Sequence, residues 1–292
     1  IGGILERDLL KLAHEAGIHL PRAAALSAAA AVTMDADTGE TLFAENADSR
    51  LPMASTTKIM TALVALGEGD LDRVYTVKKQ YAAVEGSSMY LEEGERLTLR
   101  DTLYGLLLSS GNDAAAAVAG ECGGERAFVD KMNAKARELG LTDTRFENPS
   151  GLPSDGHYTT ARELAKITAA ALRDPVFRDI VSTKTCTAAG RTLVNHNRLL
   201  SLYEDAIGVK TGFTRAAGRC LVSAAERNGR TVIAVTLNDP DDWNDHIALL
   251  DDAFSRYSEV TLHEKGDTLA QTQVFGGETD RAELVAESTV TA

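Results

Sequence analysis

The sequence predicts an α/β (α+β) fold, in which helices flank an antiparallel sheet and a helical subdomain is added to it. Three observations predict this class: a hairpin pattern near the N-terminus, apolar segments of helical period in the middle of the chain, and three apolar strands towards the C-terminus. Strands at both ends of a chain that is helical between them are typical of a sheet covered by helices.

The composition limits the possible functions. The chain has 292 residues, of which 44% are hydrophobic and 25% are charged, as is usual for globular proteins. A formal net charge of −13 argues against a nucleic-acid partner. The three cysteines are too few and too scattered for a disulfide framework or a zinc site, and we expect them to be small buried hydrophobic residues. No metal and no cofactor is predicted.

The first half of the chain predicts one hairpin and a series of helices. Its strands are residues 31–36 and 41–44, and the pattern Asp35-x-Asp37-x-Gly39 between them is interpreted as a turn, because the later ligands of a calcium loop are missing. Residues 4–20 have an amphipathic pattern. A strand is expected at 74–77, and helices are expected at 55–66, 97–108, from 114, 124–139, 159–173 and 175–181.

The second half of the chain changes to the period of β-strands. A hairpin is expected at 183–187 and 192–195, and three strands are expected at 207–210, 220–224 and 231–236. Asn228-Gly229 predicts a tight turn before the last of these strands. A final helix is expected at about 241–257, with the acidic run 239–245 as its solvated start. Short strands are expected at 272–275 and 282–286.

Residues 52–63 contain the first candidate for chemistry. Ser55 and Lys58 are three positions apart at the start of a predicted helix, so their side chains can meet on one face. A desolvated lysine can take the serine proton, and the N–H groups of a helix N-terminus suit a developing oxyanion. Ser-x-x-Lys is expected about once by chance in a chain of this length, so alone it does not distinguish a nucleophile from a helix cap.

Two further motifs follow in the chain. Ser110-Gly111-Asn112 lies in a break between predicted helices, and Lys210-Thr211-Gly212 ends a predicted strand. Each tripeptide is expected by chance in under about one chain in ten, so three motifs in this order are a specific signal. The combination predicts a serine acyl-transfer site.

The first two motifs supply the groups that move protons in this interpretation. Ser110 can relay a proton to the leaving amine. Asn112 can orient both Lys58 and a substrate carbonyl. Lys58 is expected to be neutral when it takes the proton of Ser55, because burial and the charge of Lys210 lower its pKa.

The third motif supplies the groups that bind substrate. Lys210 and Thr211 can hold a carboxylate. The backbone from Thr211 through Gly212 to Phe213 can pair with a peptide that adds to the sheet as a strand. The N–H groups of Ser55 and Phe213 would form the oxyanion hole.

Several other residues are weaker candidates. Asn195, Asn197 and Arg198 precede Lys210 and are possible contacts for the substrate carboxylate. His157 is interpreted as a solvated loop histidine. No His-Glu-x-x-His and no Gly-x-Ser-x-Gly occurs, which argues against a zinc peptidase and against an α/β-hydrolase elbow.

The motifs and their flanking residues resemble the serine D-alanyl-D-alanine carboxypeptidases, the low-molecular-mass penicillin-binding proteins. The stretches 34–39, 51–62, 148–152 and 208–214 all look like this family, over roughly residues 30–260. The resemblance implies the penicillin-binding/β-lactamase-like transpeptidase fold. It implies an extracytoplasmic bacterial enzyme, exported with its signal peptide removed, that takes the terminal D-alanine from peptidoglycan stem pentapeptides through acyl-Ser55. It also implies that β-lactams are covalent inhibitors.

The resemblance also suggests a domain organisation. Residues 1–22 are a segment of unclear role, residues 23–260 are expected to form the catalytic domain, and residues 261–292 are expected to begin a β-rich domain that stops at Ala292. Family members usually continue into such a domain and a C-terminal amphipathic anchor. Membrane anchoring is therefore expected only through a C-terminal segment absent from this sequence.

Two alternatives use the same motifs: a β-lactamase-like esterase and a non-catalytic penicillin-binding sensor. The middle motif is Ser-Gly-Asn, whereas class A β-lactamases have Ser-Asp-Asn, and their Glu-x-x-x-Asn motif is not found between residues 112 and 210. A penicilloyl ester should therefore persist, which favours a peptidase. A sensor has no need of a nucleophile, so the intact Ser55, Lys58, Ser110 and Lys210 argue against that alternative.

Overall fold

A computed structural model describes residues 26–256, 261–273 and 281–291. The predicted amphipathic segment 4–20 and the end of the predicted strand 272–275 lie outside these residues. The chain divides between Ala253 and Phe254 into two compact units, which are described separately.

The helices and strands up to residue 256 follow the predicted order, with three short elements added at 79–82, 96–98 and 199–202. They are β1 (Ala30–Asp35), β2 (Thr41–Glu45), a 3₁₀ turn (Ala54–Thr57), α1 (Lys58–Leu66), β3 (Val74–Thr76), α2 (Lys79–Ala82), β4 (Arg96–Thr98), α3 (Leu99–Leu107), α4 (Asn112–Glu121), α5 (Glu125–Glu138), α6 (Ala161–Leu172), α7 (Pro175–Ser182), β5 (Thr185–Ala188), β6 (Arg191–Val194), α8 (Leu199–Leu202), β7 (Ala206–Thr214), β8 (Gly218–Arg227), β9 (Arg230–Leu237) and α9 (Asp242–Arg256).

Five of these strands form the central antiparallel sheet, in the order β2-β1-β9-β8-β7. The N-terminal hairpin joins the C-terminal strands through β1, whose Val32 lies opposite Val235 of β9. Asn228 and Gly229 have φ of 53° and 83°, so the turn between β8 and β9 has the two positive angles that a type I′ hairpin needs. Strand β7 is at the edge of the sheet, where its free side can accept another strand.

Helices cover both faces of this sheet. On one face, Val222 and Ile233 belong to the main hydrophobic core, and α6 packs against β9 and β1. On the other face, His246 of α9 joins the hydroxyls of Ser223 and Thr236, with Nδ1 at 2.6 Å and Nε2 at 2.9 Å. Burial lowers the pKa of His246 to about 3, so its ring is neutral and serves as a packed polar bridge. The predicted sheet between helices is therefore confirmed.

The helical subdomain is organised around the alanine-rich helix α4. Its small side chains allow α1, α2, α3 and α5 all to pack against it. Local signals set the helix starts: Thr98 forms a capping box with Asp101 before α3, and Thr160 Oγ1 accepts the N–H of Glu163 at the start of α6. All three cysteines are free; Cys122 and Cys220 are buried as predicted, whereas Cys186 is half-buried.

The acidic run before α9 differs from its prediction. The helix begins there as expected, but Asp239 is fully buried and is not solvated. The hydroxyl of Ser27 donates to Asp239 at 2.6 Å, and the N–H of Ser27 donates to Asp245 at 2.7 Å. Burial raises the pKa of Asp239 to about 6. The run therefore anchors the chain that enters β1, a long-range contact without a local sequence signal.

The Asp35 turn is confirmed. The Asp35 carboxylate accepts the N–H groups of Asp37 and Thr38, each at 3.0 Å, and pairs with Arg230 at 2.7 Å. These bonds lower the pKa of Asp35 against the opposing effect of burial.

The smaller unit contains two short antiparallel pairs, which agrees with a β-rich tail. In it, β10 (Thr261–His263) pairs with β13 (Val290–Thr291), and β11 (Thr268–Gln273) pairs with β12 (Arg281–Val285).

Candidate active site

Ser55 lies in the tight turn that leads directly into α1. The residue before it, Ala54, has φ of 47°, an angle that side-chain-bearing residues rarely adopt and that marks stored strain. Gly151 packs against this turn so closely that a Cβ there would collide with the Ala54 carbonyl oxygen. The close packing around this turn thus fixes its backbone and holds the hydroxyl of Ser55 in one place.

Lys58 is the first residue of α1 and is fully buried. Its Nζ lies 3.0 Å from Ser55 Oγ, 2.8 Å from Asn112 Oδ1 and 2.7 Å from the carbonyl oxygen of Ser150. The predicted meeting of Ser55 and Lys58 on one face is present in the structure. The carbonyl of Ser150 was not predicted, because a backbone group leaves no signal in the sequence.

The charge state of Lys58 follows from its surroundings. Burial and then the nearby charge of Lys210 lower its pKa well below the usual value, and Asp113 opposes this shift. A neutral amine has two N–H groups and one lone pair. Asn112 and Ser150 offer only carbonyl oxygens and must accept the two N–H groups, so the lone pair faces the Ser55 hydroxyl.

Asn112 connects Lys58 to the rim of the site. Its side-chain Nδ2 donates to the carbonyl of Glu85 at 2.7 Å, and its backbone N–H donates to the carbonyl of Ser87 at 2.7 Å. Asn112 is the first residue of α4, whereas the sequence prediction started that helix at 114.

Ser110 precedes Asn112 in the turn between α3 and α4. It is buried and has φ of 58°, so the second motif serine, like the turn at Ser55, is associated with strained backbone. Among the described residues, no hydrogen bond joins its hydroxyl to Lys58 or to Ser55. Its part in proton transfer stays a prediction.

Asp113 is a member of the site that the sequence reasoning missed. Its buried carboxylate accepts Ser88 Oγ at 2.6 Å, the N–H of Met89 at 3.0 Å and the N–H of Leu91 at 2.9 Å. It therefore fixes the loop whose backbone also holds Asn112. The available signal was its position directly after the Ser-Gly-Asn motif.

The loop 148–152 holds the carbonyl of Ser150 against Lys58. Asn148 Oδ1 accepts the N–H groups of Gly151 at 2.7 Å and Leu152 at 3.2 Å, which closes the loop on itself. Thr61 Oγ1 also donates to the carbonyl of Pro149 at 2.7 Å. The loop is therefore tied to α1 through the carbonyls of Pro149 and Ser150.

His157 lies behind the nucleophile turn and is buried, so its interpretation as a solvated loop histidine is wrong. Its Nδ1 accepts the N–H of Glu147 at 3.0 Å, which leaves Nε2 to donate to Thr57 Oγ1 at 2.7 Å. Burial lowers the pKa of His157 to about 4, consistent with this neutral form. It braces the turn and does not reach Ser55.

The third motif lies on the edge strand β7, beside the nucleophile turn. A Cβ on Gly212 would lie 3.0 Å from the backbone N of Ser55, so glycine is what allows this close approach. Thr211 is half-buried, and Phe213 is 66% exposed on the open side. Lys210 is buried, its Nζ donates to the carbonyl of Thr211 at 2.8 Å, and burial lowers its pKa to about 7.

Two of the weaker candidates before β7 have contacts of their own within the protein, and their part in binding the substrate carboxylate stays a prediction. Asn195 Nδ2 donates to the carbonyls of Val181 and Thr183 at 3.1 and 3.0 Å, and so holds the base of a hairpin. The Arg198 guanidinium lies 5.8 Å from the centre of the Trp243 ring. In the same stretch, burial and the positive charge of the nearby Lys210 lower the pKa of His196.

The geometry defines a class of chemistry. A serine hydroxyl faces the lone pair of a desolvated lysine, beside an edge strand that carries a second buried lysine, and this arrangement suits acyl transfer to serine. Within the described residues, no three His, Cys, Asp or Glu side chains are grouped to hold a metal ion. In the same residues, no helix combines the length and apolar character needed to cross a membrane.

The fold and site are those of a serine peptidase, and comparison with known sequences gives its family. The family model described as D-alanyl-D-alanine carboxypeptidase matches residues 18–241. The chain belongs to this family. It is 37% identical to the carboxypeptidase DacF of Bacillus subtilis over 278 residues, 90% of this chain and 71% of that protein. It is 40% identical to the carboxypeptidase of Streptomyces sp. strain K15 over 73% of this chain and 81% of that protein.

Solved structures agree with the fold. The crystal structure of the Streptomyces K15 DD-transpeptidase superimposes with a TM-score of 0.75 and 38% identity, covering 79% of this chain and 98% of that one. A D-alanyl-D-alanine carboxypeptidase from Mycobacterium tuberculosis gives a TM-score of 0.76 and 35% identity, covering 79% and 92%. The penicillin-binding D,D-peptidase fold implied by the sequence is confirmed.

Proposed function

We propose that this protein removes the terminal D-alanine from peptidoglycan stem pentapeptides through an acyl-Ser55 intermediate. The observation that carries the proposal is the set of contacts at Lys58 Nζ, where two carbonyl oxygens take the N–H groups and Ser55 Oγ lies 3.0 Å away. Family membership supports the substrate class.

Acylation follows from this arrangement. Lys58 takes the proton of Ser55 as Oγ attacks the carbonyl carbon of the penultimate D-alanine. The resulting oxyanion accepts hydrogen bonds from the N–H groups of Ser55 and Phe213. When the C–N bond breaks, the proton held by Lys58 passes through Ser110 to the departing amine, which leaves as D-alanine.

The substrate binds along the free edge of β7. Its terminal carboxylate pairs with Lys210 and the hydroxyl of Thr211, and its backbone pairs with the strand as far as Phe213. Lys210 Nζ makes one hydrogen bond in the described part of the chain, to a backbone carbonyl, and an ammonium group has three donors. Two donors are therefore left for the substrate carboxylate.

Deacylation sets the difference from a β-lactamase. Water attacks the ester carbonyl on Ser55 while Lys58 takes a proton from the water. The bond from the carbonyl carbon to Ser55 Oγ then breaks, Lys58 returns the proton to Oγ, and the shortened peptide leaves with a new carboxylate. The carboxylate that acts on Lys58 is Asp113, which is occupied by Ser88 and the N–H groups of Met89 and Leu91. Without a dedicated carboxylate to activate water, a penicilloyl ester is expected to persist.

The test is intact-mass spectrometry after incubation with benzylpenicillin, followed by an assay of D-alanine release from a D-Ala-D-Ala peptide. We expect a stable adduct, absent from Ser55→Ala, and D-alanine release. Ser87→Ala is a matched control, because Ser87 contributes its backbone carbonyl to Asn112. An adduct that clears within seconds would identify a β-lactamase, and a stable adduct without D-alanine release would identify a sensor.

The cellular location of the protein and its inhibitors follow from the same proposal. The family acts on peptidoglycan, which lies outside the cytoplasm, and the fold is that of penicillin-binding proteins. We infer export with removal of a signal peptide, and covalent inhibition by β-lactams. We also infer that residues 23–260 are the catalytic domain and that residues 261–292 begin a β-rich domain; the division of the chain after Ala253 supports a boundary near the end of α9.

A further inference from the structure

A cavity of about 340 Å³ lies between the base of the β5–β6 hairpin and the short helix α8. Its volume is at the lower end of the range of ligand pockets, ~300–1,000 Å³. The residues that line it include Lys184, Val194, Asn197, Arg198, Ser201 and Leu202, and none of the three catalytic motifs contributes to it. The mechanism above therefore gives this cavity no role.

Asn197 brings an unused hydrogen-bond donor to the cavity. The residue is only 3% exposed, and its side-chain Oδ1 accepts the backbone N–H of Leu199 at 3.1 Å. This bond fixes the orientation of the amide, because an oxygen must accept and Nδ2 is then the remaining group. Among the described residues, the buried Nδ2 has no hydrogen-bond partner. A buried donor without an acceptor destabilises the folded chain, so Nδ2 suits a ligand that supplies an acceptor.

Two cations line the same cavity. Lys184 and Arg198 are exposed and, within the described parts of the chain, neither makes an ion pair. The Arg198 guanidinium lies 5.8 Å from the centre of the Trp243 ring, a cation–π contact that favours this position. Arg219 contacts the same ring, but it is already paired with Asp242 at 2.7 Å. Of the described residues that line the cavity, none is an Asp or a Glu, so the cavity is complementary to an anion.

The rest of the cavity surface is apolar and restricts the kind of anion. Val194 and Leu202 are 56% and 48% exposed, and Leu200 adds a buried side chain. An inorganic phosphate would leave this apolar surface in water, whereas a carboxylate next to a methyl group would cover part of it. The planar guanidinium of Arg198 also matches the geometry of a carboxylate. The cavity therefore favours a carboxylate that carries a small aliphatic group.

We propose that this cavity binds the terminal carboxylate of a second peptidoglycan stem peptide, outside the active site. Lys184, Arg198 and Asn197 Nδ2 hold the carboxylate, and the methyl group of the terminal D-alanine packs on Val194 and Leu202. Asn197 and Arg198, considered above as contacts for the substrate carboxylate, are assigned here to this second one. The identity of the ligand rests on the proposed function, since stem peptides end in D-alanine both before and after trimming.

A second attachment point matters on the polymer and not on a soluble peptide. Neighbouring stem peptides are linked through the polymer, so binding one of them raises the effective concentration of the others at Ser55. Lys184→Gln is therefore expected to lower D-alanine release from purified peptidoglycan about threefold. It is expected to leave kcat/KM for a soluble D-Ala-D-Ala peptide unchanged.

The binding test uses Trp243, which is the only tryptophan of the chain and lies beside Arg198. Ser55 is first acylated with benzylpenicillin, which closes the active site to peptides, and Trp243 fluorescence is then titrated with N-acetyl-D-alanine. We expect a saturable change. N-acetyl-D-alaninamide, which has no carboxylate, is expected to bind at least about tenfold more weakly. N-acetylglycine, which has no methyl group, is expected to bind about threefold more weakly.

Nα-acetyl-lysyl-D-alanine and N-acetyl-D-alanyl-D-alanine represent the trimmed and the untrimmed ends. Titration with each of them shows which end binds more tightly.

Two variants test the donors of the site. Lys184→Gln removes one cation and leaves Arg198 and Trp243 in place, so N-acetyl-D-alanine should bind about three- to fivefold more weakly. Asn197→Ser keeps a hydroxyl that can accept the Leu199 N–H but removes Nδ2, and a similar loss is expected, with circular dichroism as the check on folding. Lys166→Gln is the matched control, because Lys166 is an exposed lysine on α6 that does not line the cavity.

The site would be overturned by the absence of a fluorescence change, by equal binding of the acid and its amide, or by an affinity unchanged in Lys184→Gln. Inorganic phosphate that binds more tightly than N-acetyl-D-alanine would also overturn it. Failure of the proposed function is a different result, since benzylpenicillin would then leave no adduct on Ser55 and no D-alanine would be released. The titration would in that case be made on the unmodified protein, where its dependence on Lys184 is measured in the same way.

Discussion

The two sides of the active site each contain a buried lysine, and the two lysines are held differently. Lys58 on α1 is 0% exposed and has three polar contacts, to two carbonyl oxygens and the Ser55 hydroxyl. Lys210 on β7 is 1% exposed and, among the described residues, has one hydrogen bond, to the carbonyl of Thr211. The three partners of Lys58 suit a group that only exchanges a proton with Ser55. The single partner of Lys210 leaves donors free, which suits a group that binds an anion.

The pKa values divide along the same line. Burial and the charge of Lys210 lower the pKa of Lys58 well below its usual value, whereas burial alone lowers the pKa of Lys210 to about 7. Near neutral pH, Lys58 is therefore the neutral base and Lys210 still carries charge in a substantial fraction of molecules. The positive charge of Lys210 therefore helps to keep Lys58 neutral.

The largest effect is expected when the base is removed. Lys58→Met keeps most of the side-chain volume but has no lone pair to take the Ser55 proton, so acylation by benzylpenicillin should slow by about 10²–10⁴-fold. Stopped-flow or mass-spectrometric acylation rates measure this, and circular dichroism checks the fold. Lys166→Met, at an exposed position on α6, is the control. Near-normal acylation of Lys58→Met would refute its assignment as the base.

Removal of the binding lysine should have a smaller and more selective effect. Lys210→Met loses a charged hydrogen bond to the substrate carboxylate, worth ~1.5–3 kcal/mol, so kcat/KM for a D-Ala-D-Ala peptide should fall about 10–150-fold. The same substrate with its terminal carboxylate converted to an amide should be affected much less. An equal loss for both substrates would mean that Lys210 acts elsewhere, for example through the pKa of Lys58.

The pH dependence should separate the two roles again. In the free enzyme, kcat/KM needs neutral Lys58 and charged Lys210, so it should rise from the acid side and fall above pH about 7 as Lys210 loses its proton. On the alkaline limb the fall should approach about tenfold per pH unit. Lys210→Arg should move that limb to higher pH, because a guanidinium stays charged. An unchanged limb in that variant would assign it to another group.

Much of this fold was predictable because its signals are local. Asn228-Gly229 specifies the β8–β9 turn through its two positive φ angles, and the capping residues Thr98 and Thr160 mark helix starts within a residue or two. The same holds for the contact of Ser55 with Lys58, which one helical turn brings together. Family resemblance then extended these local elements to the whole sheet.

The parts that sequence reasoning missed depend on partners far apart in the chain. His157 meets Thr57 across 100 residues, and the Ser150 carbonyl meets Lys58 across 92. Asp239 is buried because Ser27, 212 residues away, supplies its hydrogen bond. No periodicity or motif spacing contains such information, and a backbone carbonyl has no residue type to recognise. The strained angles at Ala54 and Ser110 are equally invisible, since neither residue is a glycine.

The smallest expected effect concerns stability, and it tests whether the burial of Lys210 destabilises the folded protein. Its folded pKa of about 7 is below the unfolded value of 10.5, so between these values the unfolded chain binds the extra proton. The wild type should therefore gain stability as pH rises from about 7 towards 10.5, at up to about 1.4 kcal/mol per pH unit for this group.

Lys210→Met lacks this slope and should be more stable than the wild type at pH 7, by roughly 1 kcal/mol or more. Urea unfolding of both proteins at pH 7 and pH 9.5 measures the difference between them, in which the other titrating groups cancel. A variant that is less stable at pH 7 would show that the contacts of Lys210 outweigh its burial, and that both lysines, and not only Lys58, are structurally satisfied.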